Sequence, residues 1–274
     1  MSLRNSPLVL LGLGAILAAP ELLAQQSDAV AFTKKVEVFG VPIYATNTTA
    51  DDKLLHAAGV LAQYIDNDED GVPDNPKIMR ALLDQGGAIT MTKTQGEIRG
   101  VPRSERPRGQ GLYDEETIPN ARARGVFDTA LEEILHMVSD YGWGGAYPEV
   151  FGRVPGTAIA NAMDLARGGR FLGVPNEYPV GAWYSYDDET CDYDCMGSEY
   201  IYWAFTSLLG AQDLPGRLDR IGREWKLNTP DKLRQGDPAV FAILSNPEYR
   251  LPSVTPDGNY TGSELIIEPY SHRP

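Results

Sequence analysis

The stretch Val126–Tyr141 reads VFDTALEEILHMVSDY and predicts an amphipathic helix. At 100° per residue, Glu132, Glu133 and His136 fall within one quadrant, while apolar side chains take the opposite side. Glu132 and His136 are four residues apart, so their side chains stack on one face and can hold one ion. The sequence therefore indicates a candidate metal site on the polar face of a core helix. An ordinary amphipathic helix with solvated charges is the alternative, because charged helix faces are common.

This helix resembles the active-site helix of the zincin metallopeptidases, His-Glu-x-x-His, with Glu132 in place of the first histidine. In that family the two histidines bind zinc and the glutamate acts as general base on water. The resemblance implies that Glu132 and His136 are metal ligands, that Glu133 is the base, and that the fold is zincin-like. Glu132 adds negative charge and replaces an imidazole nitrogen with a harder oxygen ligand. This change would favour a metal other than zinc, or it would abolish catalysis.

A third ligand is expected from a later helix, Ser198–Ala211, which is apolar on nearly every side and should be buried. Glu199 lies in its first predicted turn, and a carboxylate entering a core needs a partner, either the helix dipole or a metal. In zincins with a glutamate as third ligand, that residue also comes from a later helix. Met196 resembles the methionine turn beneath some zincin sites, although core methionines are common. Asp140 is a further candidate, as a ligand or as a partner of His136.

The acidic loop 66–75 reads DNDEDGVPDN and is a second candidate site. Its alternating carboxylates and central glycine resemble the calcium loops of EF-hand, dockerin and thrombospondin type 3 repeats. The implied calcium ligands are Asp66, Asp68, Asp70, the carbonyl oxygen of Val72, and Asp74. Position 12 of such loops is normally acidic but is Lys77 here, so the last ligand comes from elsewhere or the site is weak and structural. A solvated acidic turn is the alternative.

Residues 1–24 are predicted to form a secretory signal peptide, which leaves residues 25–274 as one globular domain. Arg4 precedes the short apolar run Leu8–Ala19, and cleavage is expected after Ala24, with a cut after Ala19 as the alternative. The run is too short for a bilayer, which needs roughly 20 apolar residues. An uncleaved anchor or a buried N-terminal helix is the alternative. The expected location is therefore secreted or periplasmic.

The chain has two cysteines, Cys191 and Cys195, and a secreted or periplasmic location would expose them to oxidising conditions. A lone pair in such a compartment usually forms a disulfide, and free thiols or a metal site are the alternatives. The stretch 183–195 around them mixes aromatic and acidic side chains. It is expected either to line a cleft for a cationic or sugar-like substrate, or to be a surface loop whose aromatic residues fill the core.

The charge and composition of the chain indicate which partners it disfavours and whether it folds. The formal net charge of −14 disfavours nucleic acid and anionic membranes as partners, since both bind basic patches. The hydrophobic fraction of 42% indicates a folded chain. Apolar periodicity predicts a helix-dominated α+β fold, a single compact domain with few strands, and the resemblance described above implies that this domain is zincin-like. No later segment is apolar enough to cross a membrane.

Two functions fit these features. The first is a secreted metal-dependent hydrolase, peptidase-like, with calcium and with zinc or another divalent metal as cofactors, acting on an extracellular substrate such as a peptide. The second is a non-catalytic, calcium-stabilised extracellular binding protein, or an inactive zincin-like relic. A serine hydrolase is disfavoured because the sequence has no Gly-x-Ser-x-Gly elbow.

Overall fold

The computed structural model describes residues 30–271. The predicted signal peptide and His272 lie outside the described residues.

A five-stranded mixed sheet forms one layer, with strand order β4-β3-β2-β1-β5. Its first two strands form a hairpin, and β1 also pairs antiparallel with β5, whereas β2, β3 and β4 run parallel. Helices of all types account for 43% of the described residues, so the prediction of a compact α+β fold is confirmed. The strands are β1 (Phe32–Val38), β2 (Val41–Thr46), β3 (Ala88–Thr92), β4 (Gly109–Tyr113) and β5 (Glu268–Pro269).

Ten α-helices are seen in residues 30–271, and three of them, α1, α3 and α7, frame the core beside the sheet. The helix α3 contacts β4 on one side and α7 on another, so it lies between the sheet edge and the most buried long helix. The helices are α1 (Asp51–Ile65), α2 (Pro76–Gln85), α3 (Ala130–Met137), α4 (Gly144–Ala146), α5 (Pro148–Phe151), α6 (Ala158–Ala166), α7 (Tyr193–Leu208), α8 (Arg217–Ile221), α9 (Pro230–Gly236) and α10 (Pro238–Leu244).

The helix predicted over Val126–Tyr141 starts later than expected, at Ala130, and its α-helical part ends at Met137, although the chain stays helical to Ala146. Asp128 accepts hydrogen bonds from the backbone N–H groups of Ile118 (2.9 Å) and Ala130 (3.2 Å), so the chain before α3 is held as a loop. Beyond Met137 the backbone widens into a π-helix over Val138–Trp143. The contacts of Asp128 thus override the apolar periodicity at the start of the helix, whereas past Met137 only the type of helix differs from the expected one.

The helix predicted over Ser198–Ala211 begins earlier, at Tyr193. Asp192 caps it by accepting a hydrogen bond from the backbone N–H of Cys195 at 3.0 Å. Cys191 and Cys195 lie at disulfide distance, with the two sulfurs 1.94 Å apart, beside this helix start. Glu199 is consequently in the second turn of α7, beyond the turn where a helix dipole acts on a carboxylate.

The tail after α10 packs back onto α1. A Cβ on Gly59 would come within 2.2 Å of the carbonyl oxygen of Gly258, so this contact requires glycine on the helix. Gln63 on α1 accepts hydrogen bonds from the backbone N–H groups of Asp257 and Gly258, both at 2.8 Å. Within residues 30–271, no helix combines the length and apolarity needed to cross a bilayer.

Candidate metal centre

Three side chains from two helices meet at one point. Glu132 and His136 come from α3 and Glu199 comes from α7, and one ligand atom of each lies within 4.8 Å of the others. The Nε2 of His136 is 3.6 Å from Oε1 of Glu199. The packing of α3 against α7 therefore brings together the three residues that the sequence proposed as ligands.

The two carboxylates of this centre are largely withdrawn from solvent, and Arg217 acts on Glu132 as an opposing positive charge. Burial raises the pKa of Glu199 to about 8, and the negative charge of Glu133 acts in the same direction. Burial also raises the pKa of Glu132 well above its usual range, with further contributions from Glu199 and Glu133. Such carboxylates are stabilised either by a proton or by a bound cation.

His136 is suited to coordination because its ring is neutral at pH 7. Burial, together with the nearby positive charge of Arg153, lowers its pKa to about 4. Its side chain is 8% exposed. Its Nδ1 atom is buried and has no hydrogen-bond partner among residues 30–271. The other ring nitrogen, Nε2, faces Glu199 and is the atom available to a cation that Glu199 also binds.

Glu133, the candidate base, lies on α3 beside the group of three candidate ligands. Its carboxylate accepts a hydrogen bond from the side-chain amide of Gln110, which lies on the edge strand β4. Burial raises the pKa of Glu133 to about 7, and the Gln110 hydrogen bond opposes that rise. A carboxyl group with this pKa both accepts and donates a proton near neutral pH.

Two tyrosines contact the candidate ligands and were not singled out by the sequence analysis. Tyr186 lies close enough to Glu199, and Tyr202 to Glu132, for each tyrosine to lower the pKa of the neighbouring carboxyl group. The Tyr202 ring also lies 5.8 Å from the His136 ring, centroid to centroid. Tyr202 follows Glu199 by three residues, so helical spacing on α7 was a usable signal for it.

Asp140, the fourth ligand candidate, lies outside this group. It forms a salt bridge with Arg153, which also binds Asp194 at 3.0 Å. It further accepts a hydrogen bond from Ser198 Oγ at 2.5 Å. The π-helix that carries Asp140 directs it to these partners rather than to the three-residue group.

The acidic loop brings together part of its predicted ligand set. Asp66, Asp68 and Asp74 offer oxygens within 4.8 Å of one another. Asp66 is fully buried and accepts hydrogen bonds from the Gly71 N–H at 2.9 Å and from the Tyr260 hydroxyl at 2.5 Å.

Asp70 is not part of that group of carboxylates, and the role of the Val72 carbonyl oxygen as a ligand stays a prediction. Asp70 accepts a hydrogen bond from the backbone N–H of Val72 at 2.8 Å, which closes a tight turn within the loop. The loop connects α1 to α2, so the position of its carboxylates is linked to the packing of those helices.

The comparisons with known proteins add no relative. No family model, no curated protein and no solved structure matches this chain.

Proposed function

We propose that the protein is a secreted or periplasmic metal-dependent hydrolase of the zincin-like type, acting on peptide bonds. Glu132, His136 and Glu199 would hold the metal and Glu133 would serve as general base. The observation that carries this proposal is the convergence of the three ligand side chains from α3 and α7 within 4.8 Å.

The donor set fits a divalent transition metal. It combines one imidazole with two carboxylates, whose pKa values are raised by burial. Imidazole suits zinc and its neighbours, while the majority of oxygen donors favours a harder ion such as manganese. The side chain of Glu199 is 15% exposed, which leaves a route for solvent to the centre.

A divalent cation held there would act as a Lewis acid on a substrate carbonyl. Hydrolysis adds water across the C–N bond, with oxygen going to carbon and a proton to nitrogen. Glu133 accepts a proton from the attacking water and delivers it to the departing amine, so the carboxylate is regenerated. Gln110 holds Glu133 in place from β4 through its amide N–H.

The acidic loop supports a second cation, calcium, in a structural role. The three carboxylates Asp66, Asp68 and Asp74 repel one another unless a cation neutralises them. Extracellular calcium at millimolar concentration is enough to fill a weak site of this kind. A non-catalytic, calcium-stabilised binding protein remains the alternative function, and it would use this loop without the centre at His136.

Glu133→Gln tests the role of the base. The variant keeps the size of the side chain and the hydrogen bond with Gln110, so metal binding should persist while hydrolysis falls by about 100-fold or more. The measurement is cleavage of a fluorescence-quenched peptide library with zinc or manganese, alongside calorimetric metal titration. Glu248→Gln, an exposed acid on another part of the surface, is the matched control.

Cleavage that survives Glu133→Gln, or that persists in a chelator, would contradict the proposal. A wild-type protein that binds the metal but cleaves no member of the library would favour the non-catalytic function.

A further inference from the structure

A cavity of about 390 Å³ lies between α1, the chain before α3, the turn after α7 and the C-terminal tail. Its walls are mostly apolar and include the buried side chains of Ala121 and Leu131 and the half-buried side chains of Phe127 and Leu214. None of the three candidate metal ligands is among its lining residues within 30–271. The cavity has the size and apolar lining of a small-molecule site, and it is separate from the metal centre.

Asp128 lines this cavity, but its negative charge is already compensated. Its carboxylate accepts hydrogen bonds from the backbone N–H groups of Ile118 at 2.9 Å and Ala130 at 3.2 Å. It accepts a third from the Nε2 of His56 at 2.6 Å, and the side chains of this His–Asp pair are each 7% exposed. Three N–H donors stabilise a carboxylate in its ionised form, so Asp128 is a paired group rather than a free acid facing a ligand.

Asp257, in the tail, is the other acid of the lining, and it is paired in the same way. Its Oδ1 accepts hydrogen bonds from the backbone N–H of Asn259 at 2.8 Å and from the side-chain amide of Gln63 at 3.1 Å. The residue is exposed, so solvent and salt also screen its charge. Neither acid of the lining therefore excludes an anion from the cavity.

Arg122 differs from these acids because its charge has no ionic partner. It takes part in none of the salt bridges formed within residues 30–271. Its Nη1 donates to the carbonyl oxygen of Gly210 at 3.2 Å, which ties the guanidinium to the wall formed by the next residue, Ala211. A guanidinium carries five N–H donors, so most of them are left for a ligand. In a chain of net charge −14, this arginine places an uncompensated positive charge beside an apolar cavity.

We propose that the cavity binds a small carboxylic acid with an apolar body, such as a medium-chain fatty acid. The carboxylate would pair with the guanidinium of Arg122, whose planar fork matches two carboxylate oxygens. The apolar body would lie against Phe127, Leu131 and Leu214, where its removal from water stabilises the complex. The proposal does not depend on the proposed function, because the cavity and the metal centre have different residues.

The test is a calorimetric titration of the protein with octanoate and with octanamide. The two compounds have the same length and nearly the same shape, and only octanoate carries a charge. We expect octanoate to bind about tenfold more tightly at low salt, because the ion pair with Arg122 is added to the same apolar contact. The difference should shrink as salt is added.

Three variants locate the site. Arg122→Gln should reduce the affinity for octanoate to about that for octanamide, whereas Arg124→Gln should leave both affinities unchanged. Arg124 is the matched control, since it is an exposed arginine on the same turn that does not line the cavity. Ala123→Trp should abolish binding of both compounds, because Ala123 is an exposed lining residue and a large side chain there fills the entrance. Melting curves establish that each variant is folded.

A wild-type protein that binds neither compound at millimolar concentration, or binds both equally, would overturn this proposal. Octanoate binding that survives Arg122→Gln or Ala123→Trp would also overturn it, since the acid would then be held elsewhere. An equal loss of octanoate affinity in Arg122→Gln and Arg124→Gln would show general attraction to positive charge and would contradict a site at Arg122. Each of these results leaves the metal centre and the proposed function as they stand.

Discussion

Glu199 connects two helices at the candidate centre. Its carboxylate, on α7, lies 3.6 Å from the Nε2 of His136 on α3. Its place in the second turn of α7 removes the helix dipole as its partner. A buried carboxylate in that position is costly unless a proton or a cation accompanies it. Substitution of Glu199 therefore distinguishes a metal-binding role of this carboxylate from a purely structural one.

Glu199→Gln is predicted to lower metal affinity by about 100-fold or more, because a neutral amide replaces a charged ligand. Calorimetric titration with zinc and with manganese measures the effect. The metal-free variant should be at least as stable as wild type at pH 8, since the uncompensated charge has been removed. Unchanged metal affinity in this variant would exclude Glu199 as a ligand.

Some parts of the site were predictable from sequence and others were not. The spacing of Glu132 and His136 is local, so helical geometry alone places them together. Glu199 was predicted because an acid in an apolar helix needs a partner. The contacts of Gln110 and Tyr186 depend on how β4 and the segment before α7 pack, and no local pattern encodes that packing.

Among the elements, the boundaries of α3 show how side-chain contacts override periodicity. Asp128 binds the backbone N–H groups of Ile118 and Ala130 and also the Nε2 of His56 at 2.6 Å, which fixes the chain before the helix. The π-helix Val138–Trp143 turns Asp140 toward Arg153. Apolar spacing predicted the existence of this helix but could not predict these ends.

The strand pairing of the sheet was predictable from sequence only in part. The hairpin β1–β2 follows from local sequence, with Phe39 and Gly40 at positive φ in the turn. The short strand β5 pairs with β1 across more than 200 residues of chain, and β4 lies in a segment, 96–120, that reads as a loop because of its glycines and prolines. Neither pairing has a local signal, since both are made by tertiary packing.

For the acidic loop, millimolar calcium is predicted to raise the melting temperature by about 3 °C or more, because a ligand that binds only the folded state stabilises it. Asp68→Asn should remove most of this gain, since Asp68 is exposed and its amide can still accept the Asp70 N–H. Asp84→Asn is the matched control on α2. A calcium shift that is the same in all three proteins would contradict a site in this loop.

At the scale of the whole molecule, the buried acids make stability depend on pH in an unusual direction. The pKa values of Glu133 and Glu199 are raised from 4.5 to about 7 and about 8. Between their unfolded and folded pKa values the folded state binds more protons than the unfolded state, so stability falls as pH rises. The lowered pKa of His136 acts in the opposite direction, but only between about 4 and 6.5.

The metal-free protein is therefore predicted to lose stability as pH rises from 6.5 to about 8. Added zinc or manganese should raise the melting temperature more at pH 8 than at pH 6.5, because the ligands must be deprotonated to bind. Differential scanning calorimetry across this range, with Glu199→Gln as the comparison, measures both effects. A metal-free melting temperature that rises over this range would show that these acids are not buried as described.

The metal centre itself is tested most directly by X-ray diffraction from crystals of the protein grown with zinc or manganese, with data collected on both sides of the metal absorption edge. An anomalous difference peak bounded by Glu132, His136 and Glu199 is the result expected. Crystals in which the metal binds elsewhere, with no peak between these three side chains at saturating metal, would contradict the assignment of this group as a metal centre.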